Sequence, residues 1–300
     1  MSGFRCAAAA LSRDEPLVGT ASQVRAFLLV ENPGPWGTEA LRDVRLPDEV
    51  KQGLRARSSA AGVRTLLVRR HAGSDPVPGI RVFAAWADAD EPWLETSTLA
   101  TPEVLLDLDL DALGRGESPG LTPAAEPVLC VCTHGRHDAC CAELGRPTAA
   151  ALARAHPEHT WEVSHIGGDR FAANVLVLPD GLYYGRVTPE AAPGLAATHL
   201  AGRLDLDLLR GRSGLPLPAQ VAEVAVRRET GARGLRDVRV LGVQRDGPLS
   251  VVRLEGAGAV YDVRVRRSVG EQHRLTCRAQ RDNPVPEHEV LDVRRGDARH

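Results

Sequence analysis

Lysine is almost missing from this 300-residue chain: its 37 basic residues include a single lysine, Lys51. Together with the alanine-rich stretches, this bias is typical of a GC-rich bacterial genome. The 37 basic residues are balanced by 39 acidic ones, so the chain as a whole is not built to bind polyanions. Aromatic residues make up only 4%, which disfavours the base stacking used by single-strand binders. We therefore expect no nucleic-acid partner.

Long hydrophobic runs are also missing. No segment approaches the ~20 apolar residues that span a bilayer, so we expect no membrane partner. A short apolar patch runs from Cys6 to Leu11, but the charged residues Arg13, Asp14 and Glu15 follow it directly, unlike a signal peptide. The sequence thus predicts a cytoplasmic protein, in a compartment where structural disulfides are rare.

Several catalytic signatures do not occur. The chain has no phosphate-binding P-loop and no glycine-rich dinucleotide fingerprint after a strand, so no intrinsic flavin or nicotinamide site is indicated. The Cys-x-x-Cys spacing of thioredoxins is absent. No segment contains a recognisable pair of carboxylates of the kind that glycoside hydrolysis requires. An enzyme with its own small-molecule substrate is therefore not indicated, although the point stays open.

What the chain does have is an ordinary globular composition, with 43% hydrophobic and 25% charged residues. Its length predicts two or three domains. We divide it into an N-terminal α/β unit (1–115), a middle unit (126–212) and an Arg-rich C-terminal α+β region (215–300). A stretch rich in Gly, Ser, Pro and Ala, Gly114 to Glu126, is interpreted as a linker. The predicted fold class is α/β (α+β).

The first two units share the order strand, loop, helix, strand, strand, helix. We hypothesise that the N-terminal unit is a degenerate copy of the middle one; two unrelated α/β units remain the alternative. In the C-terminal region, a helix ending at Gly231 precedes strands predicted at 238–243, 251–254, 260–265 and 274–278. Residues 227–281 contain 13 Arg against 6 acidic residues, which fits solvated sheet faces or a dock for an acidic partner.

Four of the six cysteines lie within twelve residues: Cys130, Cys132, Cys140 and Cys141. In a reducing compartment such a cluster indicates metal binding or catalysis before cross-linking. Cys132 ends a predicted strand and Cys141 begins a predicted helix, where unpaired backbone N–H groups favour a thiolate. The two isolated cysteines, at positions 6 and 277, are interpreted as small buried hydrophobes.

A second group of polar residues follows the next predicted strand. His165 ends that strand, so it is expected at the same edge as Cys132. Gly167 and Gly168 would let the backbone pass close to a bulky inorganic group. Asp169 stands four residues after His165, a spacing that can return its side chain to the site.

These motifs resemble the sucrase/ferredoxin-like family, a branch of the thioredoxin-like ferredoxins. The resemblance rests on Cys132-Thr-His-Gly-Arg-His-Asp-Ala-Cys-Cys141, His165-Ile-Gly-Gly-Asp-Arg-Phe-Ala-Ala-Asn174, Gly181-Leu-Tyr-Tyr-Gly-Arg186 and Glu31-Asn-Pro-Gly-Pro-Trp-Gly37. It covers most of residues 1–210. It implies a thioredoxin-like domain over 126–212, a degenerate thioredoxin-like unit before it, and a [2Fe–2S] cluster used in electron transfer.

In eukaryotic relatives of this family the ligands come as Cys-x8-Cys and His-x3-His. The resemblance therefore implies Cys132, Cys141 and His165 as ligands, and places Asp169 where a second histidine is expected. A carboxylate is a harder ligand than iron usually takes, so three outcomes stay open: Asp169 binds directly, His137, Cys130 or Cys140 replaces it, or the position is open and the cluster is labile or lost. Histidine ligation implies a raised reduction potential and a coupling of electron transfer to pH.

The remaining expectations concern function. Arg170 either balances cluster charge or forms a surface salt bridge. The electrons would come from an unidentified redox partner protein. A thiol-based redox sensor and a zinc-stabilised structural module stay open as alternatives, and sucrase activity is not supported by any residue pattern.

Overall fold

The computed structural model of the chain describes residues 3–71 and 78–296. The predicted units 1–115 and 215–300 also include residues 1–2, 72–77 and 297–300, which lie outside this description. The described residues form seven α-helices and two β-sheets, so the predicted mixed α/β class is confirmed. Within the described ranges, no helix has the length and apolar character needed to cross a bilayer.

The secondary structure follows the chain in a regular succession. The helices are α1 (Cys6–Ser12), α2 (Ala40–Asp43), α3 (Asp48–Ala61), α4 (Leu110–Gly114), α5 (Ala139–Ala155), α6 (Ala192–Leu200) and α7 (Leu217–Thr230). The larger sheet contains β1 (Ala26–Glu31), β2 (Val63–Arg69), β3 (Ile80–Trp86), β4 (Trp93–Leu99), β5 (Thr122–Pro123), β6 (Val128–Cys132), β7 (Thr160–Val163), β8 (Val175–Leu178), β9 (Leu182–Tyr184) and β10 (Leu209–Arg212). The smaller sheet contains β11 (Val238–Asp246), β12 (Leu249–Gly256), β13 (Ala259–His273) and β14 (Asn283–Gly296).

The larger sheet has the order β10-β9-β8-β6-β7-β2-β1-β3-β4-β5. Its two halves have the same internal arrangement. β1 pairs in parallel with β2 and antiparallel with β3, which pairs antiparallel with β4. In the other half β6 pairs in parallel with β7 and antiparallel with β8, which pairs antiparallel with β9. This shared order is what an internal repeat predicts; the thioredoxin-like class and the domain boundaries stay predictions.

The two halves meet where β2 and β7 pair antiparallel, with Arg69 opposite Glu162. The Glu162 carboxylate lies 2.7 Å from Nη2 of Arg69 and 2.8 Å from Nδ1 of His71, and accepts a hydrogen bond from Oγ1 of Thr133 at 2.8 Å. Burial alone would raise the pKa of Glu162, but these three partners outweigh it and the pKa is lowered. A charged carboxylate therefore joins the halves directly beside the end of β6.

Local sequence explains why these elements form. β1 is apolar from Ala26 to Val30 and has both faces covered there, as the burial of these residues shows. Helix α3 has Asp48 and Glu49 in its first turn, which suits the positive end of the helix dipole. It stops at Gly62, whose φ of 68° is the left-handed conformation that glycine adopts without strain.

Several predicted boundaries differ from the structure. The supposed linker Gly114 to Glu126 contains β5, paired with β4. The strand predicted at 274–278 is wrong: those residues form the loop between β13 and β14, and the last strand lies later, at Asn283–Gly296. The backbone N–H of Cys277 donates to the Asp138 carboxylate instead of to a neighbouring strand.

The smaller sheet, β11 to β14, packs on helix α7 through a separate apolar core. Its arginines face acidic partners on the last strand: Arg264 lies 3.2 Å from Asp292, and Arg266 lies 2.5 Å from Glu289. All acidic residues of β14 lie beyond the Arg-rich segment 227–281, and they offset part of the basic excess of that segment. Docking of an acidic partner on this region stays a prediction.

Candidate metal centre

The predicted ligands come from three segments that meet at one edge of the larger sheet. β6 and β7 are parallel, so Cys132, at the end of β6, and the loop after β7 lie at the same edge. Helix α5 begins at that edge with Cys141 in its first turn. The loop after β7 carries His165 and leads into a short 3-10 turn, Asp169–Phe171. The topology thus gathers Cys132, Cys141, His165 and Asp169 in one place.

Asp138 determines where helix α5 starts. Its side chain accepts a hydrogen bond from the backbone N–H of Cys140 at 2.9 Å and caps the helix. The helix therefore begins at Ala139, two residues before Cys141, where the sequence placed its start. Pro147 lies inside the helix, where it cannot donate a backbone hydrogen bond.

Close packing of α5 on β6 brings the two thiols together. Cys132 and Cys141 are both buried in the same apolar core. Interaction with the Cys141 side chain lowers the pKa of Cys132, whereas interaction with Cys132 and burial raise the pKa of Cys141. Cys132 is therefore the more readily ionised thiol of the two.

Gly145 makes this approach possible. It lies one turn after Cys141, and a Cβ at this position would overlap the backbone carbonyl oxygen of Cys132. We expect Gly145→Ala to push α5 away from β6 and to lower the free energy of unfolding by about 2 kcal/mol. Urea unfolding of the purified variant measures this.

The matched control is Gly194→Ala in helix α6, where an added Cβ meets no atom within 4 Å. Alanine is a better helix former than glycine, so this variant is expected to be more stable by about 0.5–1 kcal/mol. Equal stability of the two alanine variants would show that the α5–β6 contact tolerates a methyl group.

Asp169 is the centre of the polar group. Its carboxylate is 2% exposed; Oδ1 accepts a hydrogen bond from the Cys141 thiol at 3.2 Å and lies 2.9 Å from Nδ1 of His165. Burial alone would raise the pKa of Asp169, yet the pKa is lowered because His165, the Cys141 thiol and His137 favour the carboxylate. The site therefore holds an ionised carboxylate between a thiol and an imidazole.

The imidazole of His165 stacks on a neighbouring ring, but its buried Nδ1 makes no well-formed hydrogen bond within the described part of the chain. Its Nδ1 is buried and, despite its closeness to Asp169, has no hydrogen bond of acceptable geometry among the described residues. Its ring stacks on the ring of His137, with centroids 3.7 Å apart, and Nε2 of His137 lies 3.8 Å from the other carboxylate oxygen of Asp169. His137, His165 and Asp169 offer ligand atoms within 4.8 Å of one another, so this group can hold a metal ion.

His134 supports the site from behind. Its Nε2 lies 2.6 Å from the carbonyl oxygen of Gly37, and its Nδ1 accepts a hydrogen bond from the backbone N–H of His165 at 3.2 Å. These contacts fit a neutral ring, and burial lowers the pKa of His134 accordingly. His134 thus fixes the backbone of His165 and joins it to the N-terminal half, a role that the motif alone did not reveal.

Gly167 and Gly168 both have positive φ angles, 96° and 78°. The sequence suggested that they leave room for an inorganic group. The structure gives another reason, because a Cβ on Gly168 would overlap the guanidinium of Arg210, which lies beneath the loop. The glycine at position 168 is therefore needed because the loop backbone packs closely against the buried side chain of Arg210 in β10.

The other predicted residues lie around the site in different ways. Cys130 is fully buried in the apolar core, where burial raises its pKa to about 12 and keeps it a neutral thiol. Arg170 donates to Glu15 at 2.5 Å, and since the two side chains are only 13% and 6% exposed, this salt bridge is largely buried and does not lie on the surface as expected. Cys140 points away from Cys141: its sulfur lies 3.4 Å from that of Cys277, which in turn lies 3.6 Å from the sulfur of Cys6.

The interpretation of Cys6 and Cys277 as isolated small hydrophobes therefore misses their position. With Asp138 and Cys140 they form a second group of side chains able to hold a metal ion. Nothing in their spacing along the chain could have indicated this, because they lie near opposite ends of the sequence.

Comparison with known proteins agrees with the motifs. The family model for sucrase/ferredoxin-like proteins matches residues 17–211, a range that contains all four predicted ligands and all of the larger sheet except the last residue of β10. Searches among curated proteins and among solved structures found no match. The family match covers well over half of the chain. The chain belongs to the sucrase/ferredoxin-like family.

Proposed function

We propose that this protein binds a [2Fe–2S] cluster through Cys132, Cys141, His165 and Asp169, and that it carries single electrons between proteins of the cytoplasm. The observation that carries the proposal is the convergence of these side chains. They come from the end of β6, the start of α5 and the loop after β7, and contacts of 2.9 to 3.2 Å link three of them. They also occupy the ligand positions of the family motif.

The side chains at this site are of the kinds that bind a [2Fe–2S] cluster. Thiolates and imidazoles are the ligands that proteins use for iron–sulfur clusters. The buried Nδ1 of His165 has no properly formed hydrogen bond within the described chain, which leaves it available to a metal. Asp169 is ionised and close to both His165 and Cys141, so its oxygen is the best placed fourth donor.

When bound, a [2Fe–2S] cluster supplies a centre that takes up and gives back one electron. The chain's own residues supply the rest. Buried Cys132 and Cys141 exclude water from one side of the site, whereas His137 and His165 are 34% and 28% exposed. The histidine edge is therefore where a partner can approach closely, and where an imidazole can exchange a proton with solvent.

An external electron source is part of this proposal. The sequence has neither a P-loop nor a dinucleotide fingerprint that would bring a flavin or nicotinamide to the site. Electrons would then pass between this protein and a redox partner protein that docks on the histidine edge. The direction of transfer depends on the relative potentials of the two proteins.

The first test is anaerobic purification of the full chain, followed by visible absorption and by iron, sulfide and zinc analysis of the same sample. A coloured protein with about two irons and two sulfides per chain is expected. A colourless protein without iron, from cells that load other iron–sulfur proteins well, would overturn the proposal. Zinc at this site would then favour a structural module, and free reactive thiols a redox sensor.

Asp169 variants test the fourth ligand. We expect Asp169→Ala to lose iron to a chelator at least about tenfold faster than the unchanged protein, because a fixed donor is removed. Asp169→His, which restores the family pattern, should keep its iron. Loss of absorption over time in the presence of the chelator measures both.

His137→Ala is the companion variant, since its ring also lies close to Asp169. Rapid iron loss in His137→Ala together with normal retention in Asp169→Ala would assign the fourth ligand to His137 instead.

A further inference from the structure

Three cysteines from distant parts of the chain meet in one buried place on the far side of helix α5. Cys6 is the first residue of α1, Cys140 lies in the first turn of α5, and Cys277 lies in the loop between β13 and β14. The sulfur of Cys277 is 3.4 Å from that of Cys140 and 3.6 Å from that of Cys6. Cys6 and Cys140 are almost completely buried.

The carboxylate of Asp138 faces these sulfurs and is itself fully buried. Its Oδ2 accepts a hydrogen bond from the backbone N–H of Cys277 at 2.6 Å, and its Oδ1 accepts one from that of Cys140 at 2.9 Å. Oδ1 also lies 3.6 Å from the sulfur of Cys6. Two backbone hydrogen bonds thus hold the carboxylate in place, with lone pairs left for a further partner.

The arginines next in sequence to Cys6 and Cys277 are engaged elsewhere. The guanidinium of Arg5 donates to both carboxylate oxygens of Glu143, at 2.7 and 2.6 Å. Arg278, in the same loop as Cys277, donates to the carbonyl oxygen of Arg136 at 2.9 Å. The charge of a buried carboxylate is costly without a compensating cation, and these arginines do not provide one.

The spacing of the four groups matches that of a zinc site. Zn–S bonds of about 2.3 Å and Zn–O bonds of about 2.0 Å in a tetrahedron place sulfurs about 3.8 Å apart, and a sulfur and an oxygen about 3.5 Å apart. The ligand atoms of Cys6, Asp138, Cys140 and Cys277 all lie within 4.8 Å of one another. A disulfide needs sulfurs about 2.05 Å apart and would leave the third thiol without a partner.

We propose that Cys6, Cys140, Cys277 and Asp138 bind one Zn²⁺ as a closed structural site, separate from the candidate cluster site. Thiolates with one carboxylate suit a borderline-soft ion that favours four ligands. Binding displaces the three thiol protons to solvent and changes no oxidation state. The unpaired N–H groups at the start of α5 favour the negative charge that remains on the site.

The site has a structural consequence. It fastens α1 and the β13–β14 loop to the first turn of α5, which also carries Cys141 of the candidate cluster site. The C-terminal sheet, which lies entirely outside the part matched by the family, would thereby be attached to the centre of the protein. Successive residues, Cys140 and Cys141, would serve two different metal sites.

The test uses the full-length protein and metal analysis by mass spectrometry. About one zinc per chain is expected in the unchanged protein, and less than about a tenth of that in Cys277→Ser, whose side chain lies in a surface loop. Cys130→Ala, which removes a buried thiol outside both sites, should keep its zinc. Iron and sulfide are measured on the same samples, and Cys132→Ser should keep zinc whatever happens to iron.

A second measurement does not depend on any variant. Cys6, Cys140 and Cys277 should resist alkylation in the protein as purified and become modified after treatment with a zinc chelator, as peptide mass spectrometry would show. Unchanged protein that contains no zinc and has three freely alkylated thiols, or a Cys140–Cys277 disulfide, would overturn the proposal. Zinc that persists in Cys277→Ser and disappears in Cys132→Ser would also overturn it.

Discussion

Cys132→Ser is expected to leave the protein without iron or sulfide, at less than about a tenth of the content of the unchanged chain. Cys132 is 1% exposed at the end of β6, and interaction with the Cys141 side chain lowers its pKa. A serine hydroxyl in this place stays protonated and is a poor ligand for iron. Iron and sulfide analysis and the visible spectrum measure the loss.

Cys130→Ala is the matched control for this experiment. Cys130 lies two residues earlier on the same strand and faces the same apolar core. Its thiol stays neutral because burial raises its pKa, so removing it should leave the iron content unchanged. Normal iron in Cys132→Ser, or complete loss in Cys130→Ala, would assign the ligands to other residues than those proposed.

Arg210→Met is expected to lower the free energy of unfolding by about 3 kcal/mol and to speed the loss of iron. The Arg210 side chain is 1% exposed and lies beneath the loop that carries the two last ligands. Its Nη1 donates to the carbonyl oxygen of Gly167 at 3.0 Å and to Oδ1 of Asn174 at 2.8 Å, and its Nη2 donates to the carbonyl oxygen of Thr20 at 2.5 Å.

Methionine fills a similar volume but donates no hydrogen bond, so these buried acceptors would lose their partner. The cost is partly offset because a buried guanidinium charge is also removed; burial lowers the pKa of Arg210 to about 10. Urea unfolding gives the stability, and chelator-driven bleaching gives the rate of iron loss.

Arg245→Met, on the exposed strand β11, is the control for this prediction and should change stability by less than about 0.5 kcal/mol. If Arg210→Met were as stable as the control variant, the hydrogen bonds of Arg210 would do no more than compensate for burying its charge. Its role in holding the loop would then have to be abandoned.

The sequence was most informative where the evidence is local. The turn Pro179-Asp180-Gly181 lies between β8 and β9, as its residues predict, and Gly231 ends α7 with a φ of 72°. These features depend on a few neighbouring residues and on backbone conformations that only some of them adopt. The helix start at Ala139 escaped prediction because it depends on the side chain of Asp138.

The sequence indicated which residues form the candidate metal centre, but not which residues hold them in place. The order of the elements predicts a cysteine at a strand end, another at a helix start and a histidine just after the next strand. The loop conformation around Gly168 depends on Arg210, which lies about forty residues later in the chain. Arg210 also donates a hydrogen bond to the side chain of Asn174. His134 likewise contacts Gly37 of the other half.

Residue types at short fixed spacings were enough to indicate the mixed α/β class, the family motifs and the candidate ligands Cys132, Cys141 and His165, while the fourth ligand stayed open. The pairing of β2 with β7, which joins the two halves into one sheet, and the meeting of Cys6, Cys140 and Cys277 are visible only in the fold. Both depend on contacts between segments far apart in the chain. No local pattern records such contacts, since they form only when separate elements bury their surfaces against each other.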